Sequence, residues 1–441
     1  AMHKNRLKRL TLLRPNMGDY RSTDGLPPMS MSILAARTPA DVEITFYDDK
    51  IEVVPEDDSP DLVAITVETF TARRAYELAS RYRDRGIPVV MGGYHPTFLP
   101  EEALQHADAI VIGDAEGAWE RLLEDFNHNC LERTYQGGNS ASLNDFRQDK
   151  RIFAGKKYMP VEPVQYGRGC RFACDFCSIR AFYKESLRVR SIDNMVAELT
   201  TLNRRKLIFF ADDNLFSSRT ELEALLTALK PLGLRWSCQI SIDVARDETL
   251  LDKMAESGCV FVLIGFESLS RENLKQMGKP WNHVAGDYQQ VVRKLHQRKI
   301  AVYGTFVFGY DYDTTDTIQQ SLEFALEAKL EIANFNPLTP TPSSPLYDRL
   351  AQEGRLISPT WWLDENYRYG DPIFRPKRMD PDAFAQKCYE AKKAFYSWRS
   401  IGSRVLGTEA GINVFRTGIV SLANLISRRE VFRKQYRPLG A

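Results

Sequence analysis

The 441-residue sequence predicts an α/β chain made of two successive parallel-sheet units and a helical extension. Two separate alternations of short apolar runs with helical patterns predict the sheets, and the loss of strand-like runs after residue 345 predicts the extension.

The first alternation runs LKRLTLLRP, VEITFYDD, DLVAITVE, the helical pattern ARRAYELASRYRDRG, then IPVVMGG and ADAIVIGD. Near-continuous apolar runs of this length are buried on both faces, as in a doubly wound flavodoxin-type sheet, here assigned to residues 1–130. Residues 131–160 lose the periodicity in polar sequence such as QGGNSASLNDFRQDK and read as a linker. From 161 to 345, strand candidates PVQYGRG, KLIFFADD, RWSCQIS, CVFVLIGFES, AVYGTFVFGY and IANFNPLTP alternate with helical spacers. Six βα units make a partial (βα)6 barrel of the TIM type, with chemistry expected at the carboxyl ends of its strands. Residues 346–441 hold a turn with Trp361 and Trp362 and helices near 380–400 and 408–435.

Composition narrows the function. Lysine plus arginine (59) balance aspartate plus glutamate (58), so no bulk cationic field gathers nucleic acid, and no nucleic-acid partner is expected. No stretch reaches the roughly 20 apolar residues of a membrane span, and the basic start carries no cleavage pattern, so a cytoplasmic location is expected. Seven cysteines, three of them within eight residues, point to a metal site in a reducing compartment rather than a disulfide framework. Phosphate loops, nucleophilic-serine elbows, zinc-protease helices and appended RNA-binding modules are missing from the sequence.

GRGCRFACDFCS spaces Cys170, Cys174 and Cys177 as CxxxCxxC in a glycine-flanked loop after a strand. Electron-transfer clusters are closed by four thiolates, whereas three leave one iron open to a ligand. A structural zinc would call for a fourth Cys or His close by, and His128 and His283 are distant in sequence.

With Phe176 before the third cysteine, this motif resembles the signature of the radical S-adenosylmethionine (SAM) superfamily, and the likeness extends over about residues 160–345. The resemblance implies a [4Fe–4S] cluster on the three cysteines, whose open iron chelates the amino and carboxylate groups of SAM and whose electron cleaves a carbon–sulfur bond. It also implies an external electron donor of flavodoxin or ferredoxin type. By the same likeness, Phe176 shapes the adenine side, and Asp212, Asp213 and Asn214 sit where the family engages the methionine end of the cofactor. Gln239, Ser241, Glu267 and Gly309 lie at further strand ends facing cofactor or substrate. Each has a plainer reading: Asp212 or Asp213 caps the following helix, and Glu267 pairs with a lysine.

The order of elements in the first 125 residues, the GGYHP turn at 92–96 and IGDAEGAWERLL at 112–123 resemble the cobalamin-binding domain attached to many enzymes of this superfamily. The corrin would lie across the carboxyl edge of the sheet, near Thr66, Gly92 and Gly93. No DxHxxG occurs, which leaves cobalamin held without a histidine, another ligand, or an empty relic domain. His95 is a candidate ligand, and the plainer reading of a histidine before proline is a local hydrogen bond.

The resemblance implies an enzyme that cleaves SAM reductively and transfers a group, a methyl through cobalamin, to a small-molecule or secondary-metabolite substrate. Two alternatives stand. One is cobalamin-free transfer of the 3-amino-3-carboxypropyl group of SAM to trivalent arsenic, as in arsinothricin biosynthesis, with Cys238 or Cys259 a soft ligand if either faces the cavity. The other is a non-catalytic cobalamin or iron–sulfur sensor. SRREVFRKQYR (427–437) is either a solvated helix end or a contact for phosphate or an anionic membrane surface.

Overall fold

The computed structural model describes residues 6–22, 25–138, 142–184, 186–216, 218–284, 287–406 and 414–440. The predicted helix at 408–435 begins, within these residues, at Val414; positions 408–413 lie outside them.

The first sheet is parallel throughout, in the order β2-β1-β3-β4-β5-β6. Its strands are β1 (Arg9–Arg14), β2 (Glu43–Asp48), β3 (Leu62–Thr66), β4 (Val89–Gly92), β5 (Ala109–Ile112) and β6 (Thr134–Gln136). Leu12, Leu62, Val63 and Val89 are fully buried between two layers of helices, which accounts for the unbroken apolar runs. The sixth strand lies inside the segment read as a linker. Three residues with one buried side chain carry too little period for a sequence to reveal.

The second sheet is also parallel, in the order β14-β13-β12-β11-β10-β7. It comprises β7 (Val161–Val164), β10 (Leu207–Phe210), β11 (Trp236–Ile240), β12 (Cys259–Glu267), β13 (Ala301–Phe308) and β14 (Ile332–Pro337). β7 and β14 do not pair, so the barrel stays open on one flank. Between β7 and β10 the chain makes a small antiparallel hairpin of β8 (Gly167–Arg168) and β9 (Arg188–Val189), which carries the cysteine loop at its tip.

The extension folds back over both units. Trp361 and Trp362 enter the core of the first, where the Trp362 indole donates to Glu102 at 3.1 Å. Helices Pro381–Phe395, Trp398–Leu406 and Val414–Lys434 pack on the second, three where the sequence indicated two. Arg404 is fully buried, stacks on Phe395 and donates to the carbonyls of Leu330 and Glu331. Asn424 of the terminal helix donates to the same Glu331 carbonyl.

Asp311, just past β13, joins barrel to extension through Lys377 at 2.7 Å and Arg355 at 2.9 Å, and accepts from Gln276 of the barrel itself at 2.7 Å. Burial alone raises its pKa, but Lys377, Gln276 and Arg355 outweigh it and hold the carboxyl at about 2. Because the folded value lies below the unfolded one, the contribution is complete above about pH 4 and lost as pH falls toward 2. Urea midpoints of the wild type are therefore expected to drop over that window, and Asp311→Asn to start lower at pH 7 and drop less.

Candidate functional site

Cys170, Cys174 and Cys177 follow β8 and precede the helix Ser178–Tyr183. The loop is tight: Gly169 has φ +90°, and a Cβ there would lie 2.0 Å from the Ser186 carbonyl oxygen. It is also braced from outside, since Asp175 N–H donates to the Met277 carbonyl and Gly278, at φ +72°, packs against Ala173. Cys177 stands at the N-cap position of the helix, where burial raises its pKa and the nearby N–H groups of Arg180 and Ile179 only partly oppose this. Burial likewise pushes Cys174 up to about 12, opposed by the nearby charge of Lys279. Buried thiols of this kind ionise when a metal takes them as ligands.

All seven cysteines are free. Among the described residues, no three Cys, His, Asp or Glu side chains converge on a single ion. A tetrahedral zinc, with Zn–S near about 2.3 Å, needs such convergence. Three thiols in one loop match a cluster that takes each thiolate on a different iron.

The acidic segment after β10 divides its labour. Asp212 is buried and accepts from the N–H groups of Tyr166 at 2.9 Å and Gly167, so it fixes the approach to β8; burial lifts its pKa to about 7. Asp213 accepts from Gly169 N–H at 2.8 Å, lines the central cavity, and is lifted by burial to about 6. Neither caps the next helix, a role taken by Ser218. Asn214 places its amide nitrogen 3.7 Å from Cys170 Sγ and accepts from Ser241 N–H at 3.1 Å. Gln239 donates to the Asp213 carbonyl at 2.9 Å, and Ser241 bonds Asp243, itself paired with Arg171 beside the first cysteine. Phe176 packs against the barrel core.

Glu267 ends β12 at φ +62° and forms a buried pair with Lys279 at 2.7 Å. This is the plainer of its two readings, and it brings in a residue the sequence reading missed. Lys279 sits in the same turn that braces Cys174, yet no period or motif ties it to β12.

A cavity of about 470 Å³ lies between the carboxyl edge of the first sheet and the cluster loop. Thr66, Gly92, Gly93 and Tyr94 line it from one side, and Arg168, Tyr183 and Asp213 from the other. Gly93 has φ +106°, and a Cβ there would meet the Val67 carbonyl at 2.9 Å, so only glycine fits this turn at the sheet edge. His95 turns away from the cavity. It is fully buried, with Nδ1 3.3 Å from the Thr69 hydroxyl and Nε2 3.1 Å from Tyr76 and 2.9 Å from Glu102. It is therefore corrected from candidate ligand to core residue, held by side chains rather than by the backbone.

Arg168, two residues before Cys170, crosses between the units. It pairs with Asp114 at 3.1 Å and Glu116 at 2.7 Å, and Arg188 also reaches Asp114.

Comparison with known proteins finds a family match in each unit. Residues 164–325 match the radical SAM superfamily and residues 26–123 the B12 binding domain. Bacteriochlorophyllide d C-12(1)-methyltransferase of Chlorobaculum tepidum is 30% identical over 421 residues, covering 92% of this chain and 91% of that protein. Hopanoid C-2 methylase of Rhodopseudomonas palustris is 25% identical over 350 residues, covering 75% and 66%. The fold matches that of the radical SAM methyltransferase TsrM from Kitasatospora setae, with a TM-score of 0.67 at 16% identity over 97% of this chain and 99% of that one. A chain with three free thiols on a hairpin loop beside a glycine-edged cavity, and aligned over nine-tenths of its length with a methyltransferase at 30% identity, belongs to the cobalamin-dependent methyltransferases of the radical SAM superfamily.

Proposed function

We propose that this enzyme methylates a small-molecule acceptor in the space between its two sheets, in the cytoplasm, with electrons from a flavodoxin- or ferredoxin-type donor. One observation carries the reading: a single cavity is lined both by the sheet edge expected to face a corrin and by residues next to the cluster loop. When bound, cobalamin supplies a methyl carrier and the cluster an electron for SAM.

The chain's own residues divide accordingly. Thr66, Gly92 and Gly93 offer the corrin a low edge, and Cys170, Cys174 and Cys177 take the cluster. Asp213 and Asn214 receive the methionine end of SAM, where a carboxylate near pKa 6 accepts a hydrogen bond from an ammonium. Gln239 and Ser241 hold that segment in place, and Asp212 supports it from behind. Glu267 is charge-matched by Lys279 and bounds the site at β12, while Phe176 closes the side toward the barrel core. Tyr94, Phe182 and Tyr183 wall the cavity with aromatic surface that excludes water. Cys238 and Cys259, the soft ligands that transfer to trivalent arsenic would call on, are buried in the barrel core.

The test is an anaerobic reconstitution with cobalamin and a strong reductant. About four irons and one cobalamin per chain, with S-adenosylhomocysteine and 5′-deoxyadenosine formed from SAM, are expected. Four irons without cobalamin would move the reading to cobalamin-free transfer, and a loaded protein that leaves SAM intact would make it a sensor.

A further inference from the structure

A second cavity, of about 380 Å³, opens on the unpaired flank of the barrel, toward the amino ends of the strands. In a filled barrel, side chains pointing inward are packed in layers. Here Phe209, Leu263 and Tyr303 are only partly buried, although their strand neighbours Ile208, Phe210, Val262, Ile264 and Val302 are fully buried. The alternation means that the inward face meets a hollow. Across the flank, the terminal helix closes that hollow with Ile419, Ala423 and Ile426, and its position is fixed by the buried Asn424–Glu331 and Arg404–Glu331 bonds.

The lining is hydrocarbon almost throughout, with one charged side chain, Arg205. Arg205 is exposed at the rim and has no carboxylate within ion-pair distance among the described residues, whereas its neighbour Lys206 is paired with Glu162. Leu422, 44% exposed, stands on the mouth. An apolar hollow of ligand size with a single unpaired cation at its lip is complementary to one kind of molecule, a hydrocarbon body ending in an anionic head.

We infer that this cavity binds the apolar body of an amphiphile whose carboxylate or phosphate head rests on Arg205. The proposal deepens the methyl-transfer reading and rests on it for one point only, that the amphiphile is the acceptor. Phe209 and Leu263 each lie four residues before Asp213 and Glu267 along the chain, so a chain threaded up the barrel from Arg205 is aimed at the reaction cavity.

The experiment titrates the fluorescent fatty acid cis-parinaric acid into the reconstituted holoenzyme, once as free monomer and once in phosphatidylglycerol vesicles. Saturable binding in the micromolar range is expected. Ala423→Trp, which fills the hollow from the helix side, is expected to weaken binding at least tenfold, and Leu422→Glu, a surface change that threatens no fold, to do so severalfold. Arg205→Gln weakens binding of the acid but not of its methyl ester. Monomer binding alone identifies a free metabolite as the source, and cosedimentation with vesicles identifies a membrane lipid. Non-saturable uptake, or wild-type affinity in both Ala423→Trp and Leu422→Glu, overturns the proposal. SAM cleavage without added acceptor is measured in the same samples and is expected to be unchanged, so its absence from the wild type counts against methyl transfer and leaves the binding result to be judged separately.

Discussion

Cys174→Ala is expected to lose the cluster and, with it, all SAM cleavage. Cys174 is the most buried of the three thiols, at the centre of a loop clamped by the Asp175–Met277 hydrogen bond and by Gly278. Two remaining thiolates cannot hold a cluster made for three, and no spare thiol is placed to replace the third. Cys238, Cys259 and Cys388 are buried in the barrel core, and Cys130 lies on the surface of the first unit. Iron and sulfide per chain should fall well below half of wild type, and turnover should fall to background, at least about a thousandfold. Cobalamin binding should persist, because the glycine edge of the cavity belongs to the other unit. A variant that retained full iron and cleaved SAM would remove Cys174 from the site.

The parts that local sequence dictates were legible. The cysteine spacing lies within eight residues, and the barrel strands from β10 on are apolar runs long enough to declare themselves, whereas β7 is the short VEPV and the run PVQYGRG read as the first strand is shared between β7 and the hairpin strand β8. Glycine pairs such as Gly92 and Gly93 mark close backbone approach before any fold is known. The strand β6 was not legible, because a three-residue edge strand has no period. Lys279 was not, because its partner Glu267 lies twelve residues away, beyond the helix Arg271–Gln276. His95 was read as a candidate because a histidine in a turn looks available, and only the tertiary fold places Tyr76, Glu102 and Trp362 around it. The terminal helix, read as an appendage, becomes a wall of the barrel through the polar bonds of Arg404 and Asn424, which hydrophobic patterning does not encode.

The Arg168 network is another such tertiary feature, and Arg168→Met tests it. Arg168, Asp114 and Glu116 are each nearly or fully removed from solvent. Burial lowers the pKa of the guanidinium, but Glu116 and Asp114 more than offset this and raise it overall. For Glu116, burial raises the carboxyl, and Arg168 outweighs that to leave it below its ordinary value. Methionine keeps much of the volume but leaves Asp114 to Arg188 alone and Glu116 without its ion-pair partner, so a loss of about 3–5 kcal/mol is expected in chemical unfolding. The pH dependence separates this cause from a packing defect. In the wild type, Glu116 contributes stability above its unfolded pKa that is lost on acidification. In Arg168→Met, the unpaired buried carboxyl is expected to rise above its unfolded pKa, so acidification relieves the penalty and the gap between variant and wild type narrows from pH 7 toward pH 5. A pH-independent gap would assign the loss to packing. Because Arg168 joins the first unit to the strand that leads into Cys170, the same variant should uncouple the two sites. SAM cleavage to 5′-deoxyadenosine should survive better than formation of methylated product, which requires the glycine edge and the cluster loop to keep their spacing across the cavity.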